Sequence, residues 1–119
     1  MKIAITATGK ATDAQVDARF GRAPFFAMVD TENDTVEYVD NTINLEAQSG
    51  AGVQAASNVV GSGAQVVITG NCGPKAFRTL SEGNVKIVIG AKGTISEVIE
   101  KFKKGEFEYA ESANVEGHW

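Results

Sequence analysis

One cysteine, one histidine and two prolines in the whole chain exclude several kinds of chemistry at once. The lone Cys72 rules out an intramolecular disulfide. With no Cys-x-x-Cys pair and no two histidines at helical spacing, the chain cannot build a zinc site or a cubane iron–sulfur site from its own ligands. No apolar run approaches membrane-spanning length. The start, Met1-Lys2-Ile3-Ala4-Ile5, turns polar by Thr6 and Lys10 and so lacks the apolar stretch of a signal peptide. These features together predict a cytoplasmic protein. Basic residues are also in deficit, 11 against 15 acidic, for a net charge of −4. A general nucleic-acid binder needs a basic stripe to displace counterions from phosphates, so that class is excluded. Charge blocks and low-complexity tracts are missing too. A chain of 119 residues, 43% hydrophobic and 22% charged, is therefore expected to fold as one domain.

What is present reads as alternating strands and helices. Lys2 to Thr8 mixes β-branched and small residues and breaks at Gly9, the pattern of a first strand. Asp17 to Pro24 keeps neither period and reads as a loop. Phe25–Asp30 and Val36–Asp40 read as a hairpin around the polar turn Thr31-Glu32-Asn33-Asp34. After Gly52 the apolar period becomes helical through Val53, Ala56, Val59 and Val60, and Gly61 and Gly63 end it. Val66–Thr69 and Lys86–Ile89 are short apolar runs of the buried parallel type. Pro74 opens a helix between them, at a position where its missing N–H costs nothing. Thr94-Ile95-Ser96-Glu97 is a capping box ahead of Val98, Ile99 and Phe102, closed by Gly105. The order βββαβαβα predicts an α/β fold with a mixed five-stranded sheet and helices on both faces. Residues 1–105 form the domain, and 106–119 a C-terminal tail without periodicity.

In open α/β sheets ligands bind outside the carboxyl ends of the parallel strands, where helix N-termini aim N–H groups at the crevice. Three loops should meet there: Gln48-Ser49-Gly50-Ala51-Gly52, Thr69-Gly70-Asn71-Cys72-Gly73-Pro74 and Gly90-Ala91-Lys92-Gly93-Thr94. With Lys92, Arg19 and Arg22 they would form a local anion site on an acidic protein. Glycine-rich β–α connections are also ordinary turn chemistry in any α/β protein. The loops lack the phosphate-loop ending Gly-Lys-Ser/Thr, and Gly50-Ala51-Gly52 lacks the third glycine of the dinucleotide fingerprint. Cys72, just before a helix start, is placed where a dipole would favour a metal-binding thiolate; the alternative is a small buried hydrophobe. His118 could reach back as a second metal ligand, or belong simply to the solvated tail.

The segments Met1-Lys2-Ile3-Ala4-Ile5, Arg19-Phe20-Gly21-Arg22-Ala23-Pro24-Phe25-Phe26, Gly50-Ala51-Gly52 and Gly70-Asn71-Cys72-Gly73-Pro74-Lys75-Ala76 resemble the dinitrogenase iron-molybdenum cofactor biosynthesis family. The resemblance spans Met1 to Phe102 and is most specific at Arg-Phe-Gly-Arg. It implies a ribonuclease-H-like fold. It also implies a carrier or store for a metal–sulfur cluster or cofactor precursor, of molybdenum with iron or, in the orange-protein type, molybdenum with copper. Such a cluster brings its own bridging sulfides and is held largely non-covalently. The implied site comprises Arg19, Phe20, Gly21, Arg22, Gly50, Gly52, Asn71, Cys72, Gly73, Lys92 and Gly93, with Cys72 and His118 as metal ligands. The implied partners are the anionic cluster and a protein that donates or accepts it.

Ribonuclease-H-like nucleases hold two metal ions on carboxylates of the first strand, and Lys2 to Thr8 has none. The chain is therefore not expected to be an enzyme. The competing expectation is a metal-free regulatory or protein-interaction module, for which the acidic tail (Glu106, Glu108, Glu111, Glu116) leaves room.

Overall fold

The computed structural model describes residues 1–41 and 50–114. The elements follow the expected order: β1 (Lys2–Ala7), β2 (Phe25–Asp30), β3 (Thr35–Asp40), α1 (Ala51–Gly61), β4 (Val66–Ile68), α2 (Pro74–Glu82), β5 (Lys86–Val88) and α3 (Ile95–Lys103). They form one mixed five-stranded sheet in the order β3-β2-β1-β4-β5. β2 runs antiparallel to both of its neighbours, and β1, β4 and β5 are parallel. This is the ribonuclease-H-like arrangement that the resemblance implied.

The period-two alternation of the strands sorts the core into two layers. Ala4, Phe26, Met28, Val67 and Ile87 face one way and pack with Ala55, Ala56 and Val59 of α1 and Ala76 and Leu80 of α2. Ile3, Ile5, Ala27, Val29, Val66, Ile68 and Val88 face the other way and pack with Ile95 and Val98 of α3. Helices thus cover both faces. Every residue from Ile3 to Ala7 is buried, because β1 lies in the middle of the sheet with a layer on each side.

Element ends differ from expectation by a residue where the chain turns to make another bond. Thr8 leaves β1 and donates its N–H to Gln15 O at 3.0 Å. Thr69, fully buried just past β4, shares a hydroxyl–hydroxyl bond of 2.9 Å with Thr6. The hairpin turn closes on Asp30, whose carboxylate accepts from the backbone of Glu32 and Asn33 and from the Asn33 amide. These three bonds hold its carboxyl below the usual carboxylate range, with the Asn33 side chain contributing most. Lys103, near the end of α3, pairs with Asp34 of that turn. Among the described residues no helix is long and apolar enough to cross a membrane.

The segment after α3 returns to the body. Phe107 packs into the α3-side core, and Ala110 N–H donates to Ile87 O of the edge strand β5 at 2.7 Å.

A candidate anion site at the loop edge of the sheet

The pairings Ala7↔Phe25 and Phe25↔Asp40 bring the C-terminal end of β3 level with that of β1, and the parallel ladders add those of β4 and β5. Residues 8–24 run along this edge. Their first part lies over the start of α3: Gln15 bridges Thr94, and Val16 N–H donates to Gly93 O. In the middle, Asp17 N–H donates to Thr6 O, and the Thr6 hydroxyl donates to Asp17 O at 2.7 Å. Then Arg19 bridges Asn71, and Phe20 N–H donates to Asn71 O.

Two glycines make the crossing possible. A Cβ on Gly70 would lie 2.7 Å from Ala18 Cα, and one on Gly21 would lie 2.7 Å from Gly52 Cα and 2.8 Å from Gly52 N. Those distances are shorter than real Cβ contacts, so the Arg-Phe-Gly-Arg segment can seat itself only on bare backbone. Phe20 is the anchor between them. It is 1% exposed and packs its ring 5.6 Å from that of Phe26. The segment therefore places Arg19 beside the entry to α2 and Arg22 beside the entry to α1. Arg19 is half exposed, and its Nε and N–H both approach Asp17 Oδ1, at 3.4 and 2.8 Å. That contact orients the guanidinium from below.

Two of the helix starts on this side, those of α1 and α2, lack a side-chain cap. Neither Gly50 before α1 nor Gly73 before α2 offers a side-chain cap, and neither first turn holds an acid. Their leading N–H groups and positive dipole ends suit an anion.

Three of the expected site features take a different place in the structure. First, α3 begins on the same edge, but its start is already closed. The α3 start is filled by its own sequence: Thr94 N–H donates to Glu97 Oε1, Glu97 N–H to Thr94 Oγ1, Ile95 N–H to Ala14 O and Ser96 N–H to Thr12 O. The Glu97 carboxyl is held below its usual range by the Thr94 backbone and side-chain hydrogen bonds, so a negative charge already sits there. Lys92 is exposed, but the N–H groups of Thr94, Ile95, Ser96 and Glu97 are all taken. Second, Cys72 is a core residue. It is 0% exposed, its Sγ approaches Gly73 O at 3.7 Å, and desolvation pushes the thiol up to about 12. A buried thiol with no compensating charge keeps its proton and is a poor metal ligand. Third, Phe20 contributes as a buried anchor and does not line the edge. His118, Gln48 and Ser49 lie outside the described residues.

Asn71 does more than its place in a glycine-rich loop suggests. Its Nδ2 donates to Ala18 O and its Oδ1 accepts from Asn114 Nδ2, both at 2.9 Å. Asn114 also accepts from Cys72 N–H at 2.9 Å and donates its own N–H to Cys72 O at 3.3 Å. No motif marks Asn114 in the sequence, and only the return of the chain reveals it. Among the described residues no group of three or more His, Cys, Asp or Glu side chains could hold a metal ion. A depression of about 390 Å³ opens elsewhere, at the opposite end of α2, lined by Phe77, Ser81, Asn84, Lys86 and Glu111 among others.

Fold and edge together define an open-sheet α/β domain with a small cationic, N–H-rich edge on an acidic body. Residues 1–105 match the family model described as dinitrogenase iron-molybdenum cofactor, and the chain belongs to that family. Membership associates it with proteins that handle metal clusters of the iron-molybdenum cofactor kind. The apo form of the orange protein from Desulfovibrio gigas superposes with a TM-score of 0.93 at 38% identity, over 96% of each chain. A NifB-type protein of the DUF35 family from Thermotoga superposes with a TM-score of 0.83 at 34% identity, over 98% of each. An uncharacterized protein from Methanocaldococcus jannaschii is 28% identical over 97 residues, 79% of this chain and 81% of that one.

Proposed function

We propose that this chain carries or stores an anionic metal–sulfide cluster, of molybdenum with copper or iron, as cargo at the edge between the starts of α1 and α2. The observation that carries the reading is the pair of helix starts without a side-chain cap or first-turn acid, with an arginine segment seated between them on glycine backbone. Backbone donors and guanidinium groups bind sulfide and oxide anions without replacing the cluster's own bridging ligands. The buried Cys72 agrees with a hold that is largely non-covalent. The role is carriage rather than catalysis, with a cluster donor and an acceptor protein as partners.

Reconstitution tests this directly. Purified protein is incubated anaerobically with tetrathiomolybdate and copper, or with iron and sulfide, then desalted and analysed for metals. A retained sulfide-to-metal charge-transfer band with stoichiometric metal is expected from one of the two mixtures. A colourless, metal-free protein from both overturns the carrier reading and favours the interaction module. Arg19→Ala should weaken retention about tenfold or more, the worth of one charge-assisted hydrogen bond.

A further inference from the structure

The C-terminal segment starts on the α3 face at Phe107, bonds to the edge strand through Ala110, and ends at the entry to α2 through Asn114. It thus wraps from one side of the sheet to the other. At its far end the Asn114 side chain takes two groups of the candidate site: the Cys72 N–H, next to the uncapped start of α2, and Asn71 Oδ1. The other end of the Asn71 amide holds Ala18 O, one residue before Arg19. The tail, the α2 entry and the arginine segment are therefore one hydrogen-bonded chain. Tyr109, Glu111, Ser112 and Asn114 are exposed, so little of this described stretch is buried. Segments with few buried contacts open at low cost.

We propose that residues 106–114 form a latch on the loop edge, in which Asn114 occupies the Cys72 amide until an anionic cluster displaces it. The proposal rests on the carrier reading in taking that edge as the binding place. A cluster that claims the Cys72 N–H must break the Asn114 contacts. Loading then loosens the segment back toward Ala110 and presents a changed surface to the protein that donates or accepts the cluster.

The test uses the full chain and two variants, Asn114→Ala and Asn114→Asp, titrated anaerobically with tetrathiomolybdate. Exchange of the Cys72 and Ala110 amide hydrogens is followed by NMR in the free and loaded wild type. Asn114→Ala should bind about fivefold more tightly, because the two side-chain hydrogen bonds of Asn114 no longer have to be displaced. Asn114→Asp keeps the acceptor and adds a negative charge, so it should bind more weakly than wild type. In the wild type, loading should speed exchange at Ala110. If the wild type binds but Asn114→Ala binds equally or less tightly, or Ala110 gains protection on loading, the latch is wrong and the carrier reading stands. If the wild type takes up no tetrathiomolybdate, the carrier reading falls and the latch with it.

Discussion

α2 and α3 both follow a short parallel strand and a glycine-containing loop, yet their N-termini are opposite environments. At α3, Thr94 and Glu97 close the helix start from within, and the carbonyls of Thr12 and Ala14 take the remaining donors. At α2, Pro74 stands at the first position, no side chain caps the helix, and the neighbours are Arg19 and Asn114. A helix dipole is the same at both ends of the comparison. What differs is whether a carboxylate supplied by the chain has already answered it. The lesson is that a glycine-rich β–α loop marks a ligand site only when the helix it opens leaves its own donors unspent.

The comparison can be broken most severely at the seat of the arginine segment. Gly21→Val forces a side chain into the Gly52 backbone and should cost about 3 kcal/mol or more in denaturant unfolding, with cluster retention lost as well. A smaller effect is expected at Cys72, and it sharpens the contrast between a ligand and a core residue. Its thiol ordinarily titrates near 9.0 and burial pushes it up to about 12, so the unfolded chain gives up this proton first. The Cys72 contribution to stability is therefore complete below pH 9 and is lost as pH rises toward 12. Cys72→Ala should remove that slope while leaving metal retention unchanged; denaturant midpoints across that pH range and metal analysis check both. The folded wild type should also resist iodoacetamide at neutral pH. The mildest test lies at the closed helix. Thr94→Ala removes a cap bond and should cost about 1 kcal/mol of stability without loss of cluster affinity, since α3 has no part in the site. Reduced affinity in Thr94→Ala would restore the three-helix site.

Much of the molecule was legible before any coordinates. The hairpin strands, the helix opened by Pro74 and the Thr94–Glu97 box each rest on local rules, so their residues announce them. The Arg19 to Phe26 segment is legible as a resemblance, but the contact of Gly21 with the Gly52 backbone that demands its glycine is not. The choice between a thiolate and a small hydrophobe at Cys72 stays open in the sequence, because helix position is visible there and burial is not. A residue just before a helix can point at solvent or into the layer beneath it, and here it joins Phe20, Phe26 and Leu80 in the core. Asn114 was invisible because its partners lie 42 and 43 residues away.

The sequence by itself determined the order of the elements and the self-capped start of α3, because each depends on neighbours within a few residues. The tertiary structure alone decided which helix starts remain open to an anion, that the only cysteine is buried, and that the tail reaches the α2 entry. Those outcomes depend on which backbone lies over which, and that is settled only when loops distant in the chain compete for the same donors.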